Sequence, residues 1–503
     1  MTGPTGATLH RRIPNWAILA LLLLAAFAVR AWQFGNPLIQ SDEQFYLLVG
    51  QRMWEGAWPY VDLWDRKPVG LFLLYALFAK LGSGVYGYQI AAMLFAVATA
   101  WGIVLICRPL VSRRAALCAG LLYLPSLNLL QGSGGQSPVF YNLFMVFAAL
   151  CTLRALAQAE GGRGFRLGVL AMLLVGVAIQ IKYSAVFEGF FFGLALMWWL
   201  WRRKVPPAAF LLGSAAWAVM ALVPTIAALA VYVWAGHGYD FLFANFVSIF
   251  ERGEAGALHT AGRLLEMALL LLPVLAAAIG GILAARRRHG FAPIAFQAWW
   301  LAAAIGGVLA MGDFYDHYAL PILVPAAVNA AALFDEGRKL RWLGYFAIAF
   351  ALVAGGIRMA GGWQRNGDAA ELAPFVRAIG WEPAGCLYIY QGPSSLYSLT
   401  DSCLVTRYIY PSHLSHVKER GAIGVSQTRE LDRIMDRLPR FVLVEAGRDK
   451  DNERRSRREI ASELAGRYRP ALQARIGRET YVLYTHREAA PAQATVDAAT
   501  ARH

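Results

Sequence analysis

The sequence predicts a mainly α-helical, polytopic membrane protein of about eleven transmembrane helices, with interfacial helices and a small C-terminal α/β domain outside the bilayer. Three observations predict it. Apolar residues make up 58% of the 503 residues and charged residues only 16%, against about 25% charged in an ordinary soluble chain. Runs of about 20 apolar residues recur, long enough to cross a hydrocarbon core. Lys and Arg gather in alternate loops, the positive-inside pattern. The formal net charge of +15 therefore reports orientation, and no nucleic-acid partner is expected.

Residues 1–12 are polar and basic, which places them in the cytoplasm. The first span, 14–32, is too long for a signal-peptide core and no small-residue cleavage site follows it, so it is retained. It delivers a first external loop, 33–66. Within that loop, 43–55 reads as an amphipathic helix. Phe45, Tyr46, Val49 and Met53 share one side; Gln44, Gln51, Arg52 and Glu55 share the other. Such a helix can lie flat in the interface. Gly56 and Pro59 end it. Residues 68–80 form a second helix, too short to span comfortably, hence interfacial or re-entrant.

Further spans fall at 85–107, 115–130, 138–157, 167–181, 184–201, 208–234, 264–285, 292–310, 318–334 and 340–359. The turns holding Arg108, Arg113, Arg154, Arg163, Arg202, Arg203, Arg286 to Arg288 and Arg338 share one side. The opposite loops hold most acids and histidines. The membrane domain is thus 1–361, with its N-terminus cytoplasmic and the C-terminal domain on the far side.

Past Gly361-Gly362 the composition changes. Helices at 374–380, 431–438 and 457–465 and strands at 386–390, 441–445 and 481–484 make an α/β domain over 362–487, large enough for its own core. Its basic stretch 448–458 is either a solvated face or a surface for anionic lipid. Residues 488–503 read as a disordered tail. There is no internal repeat. The five cysteines show no metal-ligand spacing. Cys107, Cys118 and Cys151 are packing residues, whereas Cys386 and Cys403 could pair if their compartment oxidises.

The chemistry concentrates in the first external loop. Asp42 and Glu43 are adjacent acids just outside the bilayer. A carboxylate there is costly unless wet, paired or used. Asp42 can accept a hydroxyl proton, with low-dielectric surroundings raising its pKa; Ser41 or Asp42 can equally be a helix N-cap. Arg66-Lys67-Pro68 sits where the chain re-enters the membrane and suits a lipid phosphate, as does Arg52; snorkelling cations are the plainer reading. Asp313, Asp316 and His317 offer a weak divalent-metal set or a sugar-binding loop. Lys182 near a span end forms an ion pair with Glu188 or serves a substrate. The Gly-rich loop 132–137 is no nucleotide fingerprint and implies close backbone approach, with a sugar as the candidate neighbour.

In order, Asp42-Glu43, Tyr46, Arg52-Met53, Gly56, Trp58-Pro59 and Lys67-Pro68 resemble the first external loop of the GT-C integral-membrane glycosyltransferases. The likeness is to the branch shared by protein O-mannosyltransferases and the lipid A aminoarabinose transferase. The span layout, the His317-Tyr318 turn before Pro321 and Pro325, and the external C-terminal domain agree with it. The resemblance implies a GT-C-like fold and a multi-pass protein of the bacterial inner membrane with a periplasmic active site. It implies a polyprenyl-phosphate sugar donor and a glycolipid or glycan acceptor such as lipopolysaccharide, in preference to protein. Asp42, with Glu43 beside it, would be the catalytic base of an inverting transfer. Lys67, Arg66 and Arg52 would hold the donor phosphate, and Tyr46, Gln136, Lys182, His317 and Tyr318 would contact substrate. Two departures stand out. Arg66 occupies the position where the aminoarabinose transferase has an acid, and Gln136 and Ser137 stand where relatives often carry one. The competing classes are a lipid-sugar transporter or flippase, which would show paired half-repeats, and an O-antigen polymerase or ligase, which would carry large loops between spans.

Overall fold

A computed structural model describes residues 13–81, 84–253, 256–335, 339–447 and 453–488. The expected cytoplasmic segment 1–12, Arg338, part of the basic stretch (448–452) and nearly all of the expected tail (489–503) lie outside the described residues.

The chain opens with α1 (Asn15–Arg30), α2 (Ser41–Trp54) and α3 (Val69–Leu81). A bundle follows: α4 (Val85–Cys107), α5 (Arg113–Leu129), α6 (Ser137–Leu156), α7 (Gly161–Ile179), α8 (Ala185–Arg202) and α9 (Pro207–Trp234). After the short α10 (Gly238–Leu242) come α11 (Ala257–His289), α12 (Ala295–Met311), α13 (Leu323–Ala330) and α14 (Arg341–Asn366). Among the described residues, nine helical segments are long and apolar enough to cross a membrane. The 17-residue α5 and the 18-residue α8 occupy the other two positions where the sequence places spans. Pro125, Pro224 and Pro273 lie inside α5, α9 and α11, tolerable where neighbouring helices surround the freed backbone groups.

The span expected at 318–334 is not one helix. It runs as a 3₁₀ turn (Asp316–Ile322) containing Pro321, then α13, then a second 3₁₀ turn (Ala331–Phe334), almost wholly buried. Arginine-rich turns meet at one end of the bundle. Arg113 donates to the Ile13 carbonyl at 2.7 Å, and Ser112 N–H and Arg288 both reach Asp335 at 3.0 Å.

The interfacial helices sit differently from expectation. The apolar side of α2 packs on α3, where Gly50 lies against the backbone of Tyr75 and Ala76. Its expected wet side is covered as well: Gln44 is buried and its Oε1 accepts from Ser395 N–H at 3.1 Å. The cover is the C-terminal domain. α14 passes straight through Gly361-Gly362 and ends before Gly367, whose φ of 84° turns the chain. Then come α15 (Ala369–Ile379), β1 (Leu387–Ile389), α16 (Ser395–Thr400), α17 (Ser412–Ser415), α18 (Gln427–Asp436), β2 (Phe441–Glu445), α19 (Arg454–Arg467), β3 (Tyr468–Ile476) and β4 (Glu479–His486). The sheet order is β1-β2-β4-β3, with β1 parallel to β2 and the other pairs antiparallel. β3 escapes the sequence pattern because it is an edge strand with mostly exposed residues, including Arg469, Pro470 and Gln473. Cys386 and Cys403 form a disulfide.

Trp64, from the first external loop, is buried in the core of this C-terminal domain beside Tyr408 and Leu414. The loop therefore belongs to both domains at once.

Candidate active site

Asp42 lies in the first turn of α2 with its side chain 20% exposed. Neither it nor Ser41 caps the helix; Gln40 holds the N-cap position and no side chain accepts there. The carboxylate has other partners. Tyr410 OH donates to Oδ1 at 2.8 Å and Tyr46 OH to Oδ2 at 3.2 Å, while Lys67 Nζ stands 4.0 Å from Oδ2. Burial by itself would raise its pKa, as the sequence suggests. The Lys67 ammonium and the two tyrosine hydroxyls outweigh burial and hold it down at about 2. The carboxylate is thus ionised and pre-aligned.

Lys67 precedes Pro68 and α3, which fixes its backbone at the re-entry point. Its ammonium also lies 5.5 Å from the Tyr46 ring centroid and within electrostatic reach of Asp65, Tyr318 and Arg252. From the bundle side, Lys182 in the α7–α8 turn stacks on the Tyr318 ring at 4.2 Å. His317 packs edge-on against Tyr318 at 4.8 Å and feels the charges of Asp42, Lys67 and Lys182. Burial, and then repulsion from Lys67, bring Lys182 down to about 7. Six residues expected at the site are thus brought together: Asp42, Tyr46, Lys67, Lys182, His317 and Tyr318.

Others are placed elsewhere. Glu43 is fully buried beneath the Gly-rich loop, where a Cβ on Gly134 would collide with its carboxylate. Burial pushes its pKa to about 7, and the buried Arg30 that opposes this also donates to the carbonyls of Gly132 (2.8 Å) and Gly134 (2.7 Å). Glu43 packs against that loop, set apart from the pair Asp42–Lys67. Gln136 is buried as well, so the loop's close approach is to protein. Arg66 and Arg52 have protein partners. Arg66 pairs with Glu419 at 2.5 Å and donates to Ser248 Oγ at 2.7 Å; Arg52 pairs with Asp401 at 3.0 Å and with Glu55 at 2.6 Å. Both are clamps to the C-terminal domain, already neutralised. Nor is there a Lys182–Glu188 ion pair: Glu188 accepts from Trp300 Nε1 at 2.6 Å.

The metal set does not form. Asp316 pairs with Arg358, Asp313 with Arg252 at 3.4 Å and Lys418 at 3.5 Å, and His317 lies against Tyr318. Among the described residues no three His, Cys, Asp or Glu side chains converge as metal ligands.

Sequence reasoning missed three residues. Tyr410 comes from the C-terminal domain, 368 residues from Asp42, and nothing local marks it. Asp65 is an acid that shares Lys67 with Asp42. Arg252 pairs with Glu419 at 3.0 Å and reaches Lys67 and Tyr318 electrostatically. Its signal was an arginine in an external loop, against the positive-inside trend.

A hydroxyl presented to Asp42 would find an ionised acceptor on one side and a cluster of cations across from it. That arrangement suits displacement of an anionic leaving group. Residues 66–233 match the family described as dolichyl-phosphate-mannose-protein mannosyltransferase. No curated protein matches by sequence. Among solved structures, ArnT from Cupriavidus metallidurans, bound to undecaprenyl phosphate, aligns over 93% of this chain and 97% of its own, with a TM-score of 0.60 and 14% identity. Looser likenesses are to the Archaeoglobus fulgidus oligosaccharyltransferase (TM-score 0.46, 13% identity, 85% of this chain and 68% of that one) and arabinosyltransferase EmbB from Mycobacterium smegmatis (TM-score 0.43, 14% identity, 94% and 47%). Over nearly its whole length the chain thus has the fold of ArnT, and one segment of it, about a third of the chain, matches that mannosyltransferase family.

Proposed function

We propose that this protein transfers a sugar from a polyprenyl-phosphate donor to a hydroxyl of a glycolipid acceptor, of the lipopolysaccharide or lipid A kind in preference to protein, with inversion at the anomeric carbon. The observation that carries this reading is the ionised Asp42 facing Lys67 at 4.0 Å, with Lys182 and Tyr318 beside them. ArnT binds undecaprenyl phosphate on a similar fold, which supports a lipid-linked donor.

In this mechanism the acceptor oxygen attacks the anomeric carbon and its proton passes to Asp42. The bond from that carbon to the phosphate oxygen breaks, and the electron pair leaves with the lipid phosphate. Lys67, with Lys182 behind it, stabilises the charge that appears there. A resting pKa near 2 makes a weak base. Donor binding corrects this: a phosphate drawn to Lys67 offsets that lysine's charge, and Asp42 becomes more basic when the donor is seated. Tyr410 and Tyr46 hold the carboxylate in line meanwhile.

We place the site outside the cytoplasmic membrane of a bacterium. The Cys386–Cys403 disulfide supports an oxidising compartment for the C-terminal domain, and Tyr410 brings that domain to Asp42. The test is a mass profile of the envelope glycolipids in cells lacking the protein. Loss of one monosaccharide is expected, restored by the wild-type chain and not by Asp42→Asn, a change worth at least ~10²-fold in rate. Full restoration by Asp42→Asn in a stably inserted protein would remove Asp42 from the mechanism.

A further inference from the structure

A cleft adjoins the candidate catalytic cluster. It holds about 280 Å³, near the lower end of the ~300–1,000 Å³ usual for small-molecule sites, and it is lined by the end of α1, the α5–α6 turn and the outer end of α14. The Trp363 ring in its wall packs on Trp32 at 6.0 Å, an aromatic pair suited to the head-group level of a bilayer.

Its polar lining is left unused by the fold. Gln33 Oε1 and Asn128 Oδ1 are buried and accept no hydrogen bond among the described residues; these side chains are 5% and 4% exposed. Arg358 Nε is likewise buried and donates to nothing, although its terminal nitrogens hold Asp316 and Glu266. Arg365, also in the wall, is exposed and makes no side-chain hydrogen bond or ion pair among the described residues. Buried polar groups without partners cost about 1–3 kcal/mol each, so such a set marks a place where a ligand completes the bonding. Two carbonyl oxygens ask for hydroxyl donors, the buried Arg358 Nε asks for one acceptor, and the exposed Arg365 guanidinium offers a charge to an anion.

The cleft and the catalytic cluster share walls. Gln131 and Arg358 grip Asp316 from the cleft side, and the next residue, His317, faces Asp42. Gln40 lines the cleft two residues before Asp42. We propose that this cleft seats the anionic, hydroxyl-bearing head group of the acceptor, next to the turn that carries Asp42. The assignment rests on the transfer reaction proposed above.

The test uses the purified full-length protein in detergent and saturation-transfer NMR with glucose 6-phosphate, with glucose and inorganic phosphate as single-feature controls. Glucose 6-phosphate is expected to give the strongest signal. That signal should survive saturating undecaprenyl phosphate and Lys67→Ala, and fall about tenfold in Arg365→Gln, the loss of one charge-assisted hydrogen bond. Asn128→Leu should weaken it too; Arg365→Gln, at an exposed side chain, covers the case in which that buried substitution misfolds. A signal displaced by undecaprenyl phosphate, or unchanged in Arg365→Gln, overturns the assignment while leaving the transfer reaction intact. A wild-type protein that seats the probe here yet transfers no sugar from any polyprenyl donor overturns the acceptor role through failure of the reaction instead.

Discussion

The pair Asp42–Lys67 sets what each residue change should do. In the proposed mechanism Lys67 carries two duties: it holds the Asp42 pKa down and it receives the donor phosphate. Lys67→Ala should raise the donor KM by at least ~10-fold, the loss of one charge-assisted contact, and change the acceptor KM little. Steady-state kinetics with each substrate varied separately would show this, and a defect confined to acceptor use would contradict the phosphate role. Lys182 adds a pH signature. Its pKa near 7 means the ammonium is present below that pH and is lost as pH rises through it. Donor affinity should therefore fall as pH rises through about 7, and Lys182→Arg should flatten the profile, because guanidinium stays charged. Asp42, held near 2, stays ionised down to about that pH in the resting enzyme and contributes no limb between pH 5 and 8.

At the scale of elements, the site depends on how closely α2 and α3 approach. Gly50 is the contact point: a Cβ there would stand 2.6 Å from Ala76 N and from the Tyr75 carbonyl carbon. Backbone cannot yield as a side-chain tip can. Gly50→Ala should therefore push the helices apart at a cost of roughly 1–3 kcal/mol. That reads as a lower melting temperature in detergent, together with reduced turnover, since α2 carries Asp42 and α3 follows Lys67. A stable, fully active Gly50→Ala protein would mean that the spacing is not critical. The broken span after α12 has the same logic. A 3₁₀ turn begins at Asp316, and the buried chain that follows it fixes His317 and Tyr318 beside Lys182.

Over the whole molecule, the C-terminal domain contributes to the candidate site. Trp64 enters its core, Tyr410 returns to Asp42, and Arg66 with Arg252 grips the buried Glu419. Arg66→Ala should cost stability and leave the donor KM nearly unchanged, because its guanidinium is spent on Glu419 and Ser248. Removing one partner of a buried pair costs about 3–5 kcal/mol, here softened because Arg252 still holds Glu419. Thermal unfolding beside donor kinetics separates the two effects; a donor defect as large as that of Lys67→Ala would return Arg66 to the phosphate site.

The spans were legible because apolar length in a bilayer is nearly a one-dimensional property: the run 85–107 and α4 share both ends. The acid-to-lysine block in the first loop was legible because charges at a membrane surface stand out against an apolar background. Partnership was not legible. Whether Arg66 and Arg52 face a ligand or a carboxylate depends on Glu419 and Asp401, hundreds of residues away and folded back over the first loop. The sequence by itself determined the membrane class, the order of helices and the stretch that carries the chemistry. Only the tertiary structure decided which cations pair with distant carboxylates, that Tyr410 donates to Asp42 and that Glu43 is buried, because desolvation and pairing arise from contacts made where the C-terminal domain packs over the first loop.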